Sequence, residues 1–91
     1  MATIIKPDGS EIVVNPKSGK TFSLSELQKL VGGLIQIVAL ADGRQMIVDE
    51  EAMYKEYEVN DKASELYYAA GGIPGMPVKG TAVIAHMDEI E

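Results

Sequence analysis

Several residues in this chain are of a type and spacing that could carry chemistry. Ser18-Gly19-Lys20-Thr21, just ahead of an apolar-periodic segment, ends the way a phosphate-cradling loop ends. Such a loop also needs a glycine five positions before Gly19, so that backbone N–H groups can wrap the phosphates, and Val14 stands there. The stretch therefore reads as a lysine-bearing surface loop before a helix. Asp49, Glu50 and Glu51, with Asp88, Glu89 and Glu91 near the end, offer oxygen ligands. A calcium loop alternates its donors around a central glycine, which Asp49-Glu50-Glu51-Ala52 lacks. Carboxylates at the start of a helical turn explain the cluster. His86 is the only histidine and there is no cysteine. Zinc would need carboxylates from elsewhere, and no nucleophile elbow supports a Ser-His-Asp arrangement. We read His86 as a strand residue at the sheet margin. No catalytic residue, metal ligand or cofactor is expected, and the chain is not expected to be an enzyme.

The tyrosines point elsewhere. Tyr54, Tyr57, Tyr67 and Tyr68 are four of the five aromatic residues and fall in one region, with Met53 and Met76 nearby. Tyrosine buries area at low entropy cost and keeps a polar tip, which suits protein interfaces. The plainer reading is that these rings cap a small core. The interaction surface expected from sequence is Tyr54, Tyr57, Tyr68, Ile73, Pro74 and Met76, beside the breaker-rich loop Gly72-Ile73-Pro74-Gly75-Met76-Pro77.

The elements that must position these residues are bounded by length and composition. Ninety-one residues make a single domain, 1–91, with one thin core. Hydrophobic residues at 46% exclude general disorder. A net charge of −6, with eight Lys and Arg scattered rather than grouped, disfavours direct nucleic-acid binding, which needs a concentrated basic face. No apolar run reaches the roughly 20 residues of a membrane span. The start lacks the pattern of a signal peptide, and the chain does without disulfides, so a cytoplasmic, non-membrane protein is expected.

Along the chain, Thr3-Ile4-Ile5 and Glu11-Ile12-Val13-Val14 flank Lys6-Pro7-Asp8-Gly9-Ser10. This predicts a hairpin, either through a type I turn with a bulge or through a two-residue Asp8-Gly9 loop. Asn15 to Thr21 is a polar loop. Ser23 as N-cap with Glu26 three positions on forms a capping box, Phe22 can staple onto Leu27, and Gly32-Gly33 stops the helix. Leu24, Leu27, Leu30 and Val31 make its apolar stripe. Leu34 to Leu40, polar only at Gln36, predicts a strand near the middle of the sheet. Asp42-Gly43 predicts a two-residue type I′ turn, setting Ala39 opposite Met46 and Val38 opposite Ile47. Ile35, Ile37, Ala39, Met46 and Val48 would then share the face against the helix. A second helix, capped by Asn60 or Asp61 and ended by Gly71, would turn Val59, Ala63, Leu66, Tyr67 and Ala70 inward. A last strand runs from Val78 to about His86, with Ala82, Ile84 and His86 on one face and Val83, Ala85 and Met87 on the other. Residues 87–91 are expected to fray as an acidic tail. The fold class is α+β, in two layers: a mostly antiparallel sheet of about five strands with two helices packed on it, in the order β-β-α-β-β-α-β.

Taken in order, Lys6-Pro7-Asp8-Gly9, Glu26-Leu27-Gln28-Lys29-Leu30-Val31-Gly32-Gly33, Val48-Asp49-Glu50-Glu51 and Gly72-Ile73-Pro74-Gly75-Met76-Pro77-Val78-Lys79-Gly80-Thr81-Ala82-Val83 resemble a family of unknown function. Its members are small proteins of bacterial phages, plasmids and conjugative elements. The resemblance spans nearly the whole chain and carries no activity or catalytic residue. Many members have a glycine shortly after the acidic pair, where this chain has Ala52-Met53. The resemblance implies an accessory protein of a mobile element. With the tyrosine region, it leads us to expect a non-enzymatic protein that binds an unidentified protein partner, a homodimer being left open. The alternative is a protein that sequesters a small molecule or nucleotide under the 72–77 loop.

Overall fold

The computed structural model describes residues 1–90. Five strands form one sheet: β1 (Ala2–Ile5), β2 (Glu11–Val14), β3 (Ile35–Ala39), β4 (Arg44–Asp49) and β5 (Ala82–His86). Their spatial order is β2-β1-β5-β4-β3, and every neighbouring pair is antiparallel. Helices α1 (Leu24–Val31) and α2 (Asp61–Ala69) complete the expected α+β fold.

Both hairpins turn by the same device. In the first, Gly9 N–H donates to Lys6 C=O and Lys6 N–H to Ser10 C=O, each at 2.9 Å, which is the type I turn with a bulge. In the second, Leu40 N–H donates to Arg44 C=O, so Ala41-Asp42-Gly43 is a three-residue loop and the type I′ reading is corrected. A type I′ turn needs positive φ at both central residues, Asp42 included. The longer loop places positive φ on Gly43 alone, at 85°, and leaves no non-glycine residue there. Register moves by one residue: Val38 faces Met46 and Ile37 faces Ile47. Ile35 and Ile37 therefore share a face with Ile47, while Met46 and Val48 turn to the other. The strand expected in the middle, β3, is an edge.

The helices are specified as read. Ser23 Oγ accepts from Glu26 N–H at 3.2 Å, and the Glu26 carboxylate accepts from Ser23 N–H at 3.1 Å. Gly32 caps the far end in the left-handed conformation. Phe22, Leu27 and Val31 bury against Ile4, Ile47 and Val83, with Leu30 packed beside them. Leu24, at the first helical position, is exposed rather than part of the buried stripe. On the opposite face Ala63, Leu66, Tyr67 and Ala70 of the α2 region cover Met46, Val48 and Ile84, whereas Val59 is exposed. The helices thus divide between the two faces, so the sheet lies between them rather than in the two layers expected, because alternate residues of β5 point to alternate helices. Ala82 to Ala85 are all buried.

The acidic ending does not fray through residue 90. Met87–Glu89 is a 3-10 turn, Glu89 C=O accepts from Phe22 N–H at 2.7 Å, and the Glu89 carboxylate pairs with the Met1 ammonium. Ile90 packs on the α1 side; Glu91 lies outside the described residues.

One buried amide joins the remaining parts. Asn60, with no exposed surface, caps α2 by accepting from Ala63 N–H at 3.1 Å, and its Nδ2 donates to Ile5 C=O and Gly80 C=O, each at 2.9 Å. Ser64 Oγ continues this junction by donating to Asn60 C=O and accepting from Val78 N–H. Asn60→Ala would leave Gly80 C=O and Ala63 N–H without the Asn60 partner in the interior, at about 1–3 kcal/mol each where water cannot reach, and would strip Ile5 C=O of its second donor. We expect it to destabilise the protein by about 3 kcal/mol or more in urea denaturation, and Asn60→Asp, which sets a carboxylate against two carbonyls, to do more damage. A loss below about 1 kcal/mol for both would contradict this role.

Candidate functional site

On the α2 face a groove of about 230 Å³ opens between the β3–β4 hairpin and the loop after α2. Its floor is apolar because register sends Val38, Met46 and Val48 to this side. One wall is Tyr67, whose hydroxyl accepts from Ile73 N–H at 3.1 Å and so holds the root of the loop. Gly72 is required beneath that ring, since a Cβ there would lie 2.6 Å from it. The other wall follows from turn chemistry. Met76 N–H donates to Ile73 C=O at 3.2 Å around Pro74-Gly75, with Gly75 at φ 81°. Proline at the second position and a left-handed glycine at the third define a type II turn. Ile73 and Met76 stand at its two ends and both line the groove. Gln36, Glu50 and Lys79 stand among the polar residues of its lining.

The residues singled out from sequence separate here. Ile73, 58% exposed, and Met76 are brought together at the groove. Pro74 sits at the tip of the turn, outside the lining. Tyr54 is 88% exposed and also outside it, though its neighbour Met53 reaches in. Tyr68 is exposed on α2, its ring 5.7 Å from that of Tyr67. Tyr67, left out of the expected surface, is the tyrosine that shapes the groove; its place on the inner stripe of α2 and the Gly72 that follows were the available signals.

Tyr57 belongs to the other side of the sheet. Its ring packs against Gly80, where a Cβ would come within 2.7 Å, and its hydroxyl donates to Asp49 Oδ2 at 2.9 Å. Asp49 also accepts from Lys55 Nζ at 2.6 Å and from Glu51 N–H at 2.8 Å. Lys55 Nζ reaches Gly32 C=O as well, setting a cation at the C-terminus of α1, where the helix dipole favours one. So Asp49, expected to be a helix-start carboxylate, is the buried last residue of β4 and the centre of a local ionic network. Burial pushes its carboxyl up, but the Lys55, Glu51 and Tyr57 hydrogen bonds outweigh this and hold it below the ordinary value. The Asp49 hydrogen bond in turn raises the Lys55 ammonium above its ordinary value.

The Ser18-Gly19-Lys20-Thr21 turn spends its polar groups on itself: Ser18 Oγ accepts from Lys20 and Thr21 N–H and donates to Thr21 C=O. His86 is the exposed last residue of β5. Among the described residues no three His, Asp or Glu side chains cluster to hold a metal, and no helix is long and apolar enough to cross a membrane.

The fold and groove thus define a small α+β protein with a shallow apolar recess beside an edge strand. The chain belongs to the DUF3846 family, described as a domain of unknown function, whose model matches residues 1–91. No curated protein and no solved structure matches it.

The Asp49 network has a pH signature. A carboxyl with a lowered folded pKa stabilises the native state above its unfolded pKa, about 3.9, and that stability is lost as pH falls through the folded value. Lys55, raised in the fold, contributes below about pH 10.4 and loses its contribution as pH rises through the folded value. Asp49→Asn should lower Tm at pH 7 by several degrees and flatten the fall in Tm below about pH 4. A variant whose Tm–pH profile overlays the parent's would contradict this assignment.

Proposed function

We propose that this chain is a non-enzymatic binding protein that docks a protein partner in the groove between the β3–β4 hairpin and the 73–78 loop. The observation that carries the reading is a buried apolar floor, Met46 and Val48, bordered by exposed Met53, Ile73 and Met76. Large exposed apolar side chains around an apolar recess are what an interface leaves uncovered in the free protein. Methionine adapts to more than one partner shape. The setting we propose, an accessory protein of a bacterial phage, plasmid or conjugative element acting in the cytoplasm, rests on the resemblance of its ordered motifs and on the lack of cysteine.

Sequestration of a small molecule or nucleotide is the competing reading, since the recess lies beside the loop where a pocket was expected. Its volume of about 230 Å³ is below the roughly 300–1,000 Å³ of ligand pockets and suits one or two apolar side chains. Full burial of one such side chain contributes about 1.5–3 kcal/mol, or roughly ten- to a hundredfold in affinity.

The test is capture of host proteins on immobilised protein, paired with a thermal-shift screen against nucleotides and metals. We expect a specific partner whose retention falls at least tenfold with Ile73→Asp and with Met76→Glu, and no nucleotide-dependent rise in Tm. Retention unchanged by both substitutions, or a nucleotide raising Tm by several degrees, would overturn the reading.

A further inference from the structure

We infer that the outer edge of β3 is a strand-addition site, and that the segment docked in the groove is an extended, alternately apolar peptide flanked by basic residues. This rests on the groove being the docking site and names the partner's chemistry. Antiparallel pairs alternate between residues that exchange both backbone hydrogen bonds and residues that exchange none. Leu40 N–H donates to Arg44 C=O and Glu50 N–H to Leu34 C=O, so Leu34, Gln36, Val38 and Leu40 face β4. Ile35, Ile37 and Ala39 therefore direct their N–H and C=O groups outward, and no described residue bonds to them.

Sheet edges are ordinarily protected by lysine, proline, a bulge or a covering element. The Leu34–Leu40 run has neither lysine nor proline nor any charged residue, and it pairs with β4 in unbroken register from Ile35 to Ala39. Ile37 is 46% exposed at its centre. A strand added here would place side chains opposite Gln36 and Val38 on the α2 face, which is the face of the groove. Main-chain bonds to Ile35, Ile37 and Ala39 would supply affinity, and the recess would select the side chain.

Charge decides between occupants. Glu50 lies opposite Leu34 at the N-terminal end of the edge, with exposed Glu51 beside it, and the chain carries −6. Lys79, also in the groove lining, is a lone opposing cation there, and Lys55 is taken by Asp49. A second copy carries the same net charge of −6, so its approach is opposed by like charge. A peptide bearing Lys or Arg next to its apolar stretch complements the rim.

The test is titration of the isotope-labelled protein with an array of synthetic peptides of about twelve residues. Apolar and Thr residues alternate in each, with either Lys or Glu at the ends. We expect Lys-ended peptides to bind and shift the amide signals of Ile35, Ile37 and Ala39, and Glu-ended ones to bind at least tenfold more weakly. Glu50→Lys should reduce this preference. Ile37→Pro removes an outward donor while sparing the β4 ladder; it and a peptide N-methylated on its bonding edge should each weaken binding at least tenfold. Binding that leaves those three amides unshifted, or no binding by any peptide, overturns the edge site. If Ile73→Asp still abolishes partner capture, the groove reading survives that failure; if it does not, both fall. Concentration-dependent dimers that shift the same amides would make a second copy the occupant and overturn the basic peptide.

Discussion

The structure depends on β5 fitting between two hairpins. Neither β1–β2 nor β3–β4 could persist alone in water, since an isolated two-stranded ribbon is marginal at best. They become one sheet because Ala82–His86 bonds to β1 on one edge and to β4 on the other. Its side chains alternate, Val83 and Ala85 under α1 and Ala82 and Ile84 under α2, so one short strand contributes to both apolar clusters. The pairings that unite the fold are thus its most distant in sequence, Thr3 with Ile84 being an example. Asn60 meets this constraint at the entrance to β5, where its amide fixes Gly80 and Ile5 together and starts α2 in the same place.

The candidate site follows from that insertion. With β5 central, β2 and β3 are left at the margins, and the strand from the Leu34–Leu40 run, polar only at Gln36, becomes an edge. The segment that leads from α2 into β5 must then cross the α2 face, and its Ile73-Pro74-Gly75-Met76 turn forms the wall opposite the hairpin. Tyr67 holds that turn from below, while the Asp49 network secures the end of α1 on the other face. The apolar recess and the open backbone edge adjoin because both are bordered by β3.

Local chemistry was legible in the sequence wherever it acts within a few residues. The Ser23–Glu26 box, the Gly32 cap, the Asn60 cap and the alternation of β5 follow from residue types at fixed spacing. The Asp42-Gly43 dipeptide misled because it serves two turns, and the cost of positive φ at Asp42 favoured the longer loop. That one-residue change sent Met46 and Val48 to the opposite face. The place of β3 was illegible for another reason: a run polar only at Gln36 reads as a buried strand, yet here it lies at the margin beside an exposed groove. Asp49 and Tyr57 looked like a helix-start acid and an interface tyrosine because their partners, Lys55, Gly32 and Gly80, are assembled by the fold. The 87–90 segment looked loose for the same reason, its partners being Phe22 and Met1.

Native-state amide hydrogen exchange on the free protein tests the central position of β5 most directly. The account predicts that Val83 and Ile84 exchange only through global unfolding, while the outward amides of Ile35, Ile37 and Ala39 exchange orders of magnitude faster. Equal protection of β3 and β5, or rapid exchange at Val83 and Ile84, would contradict it.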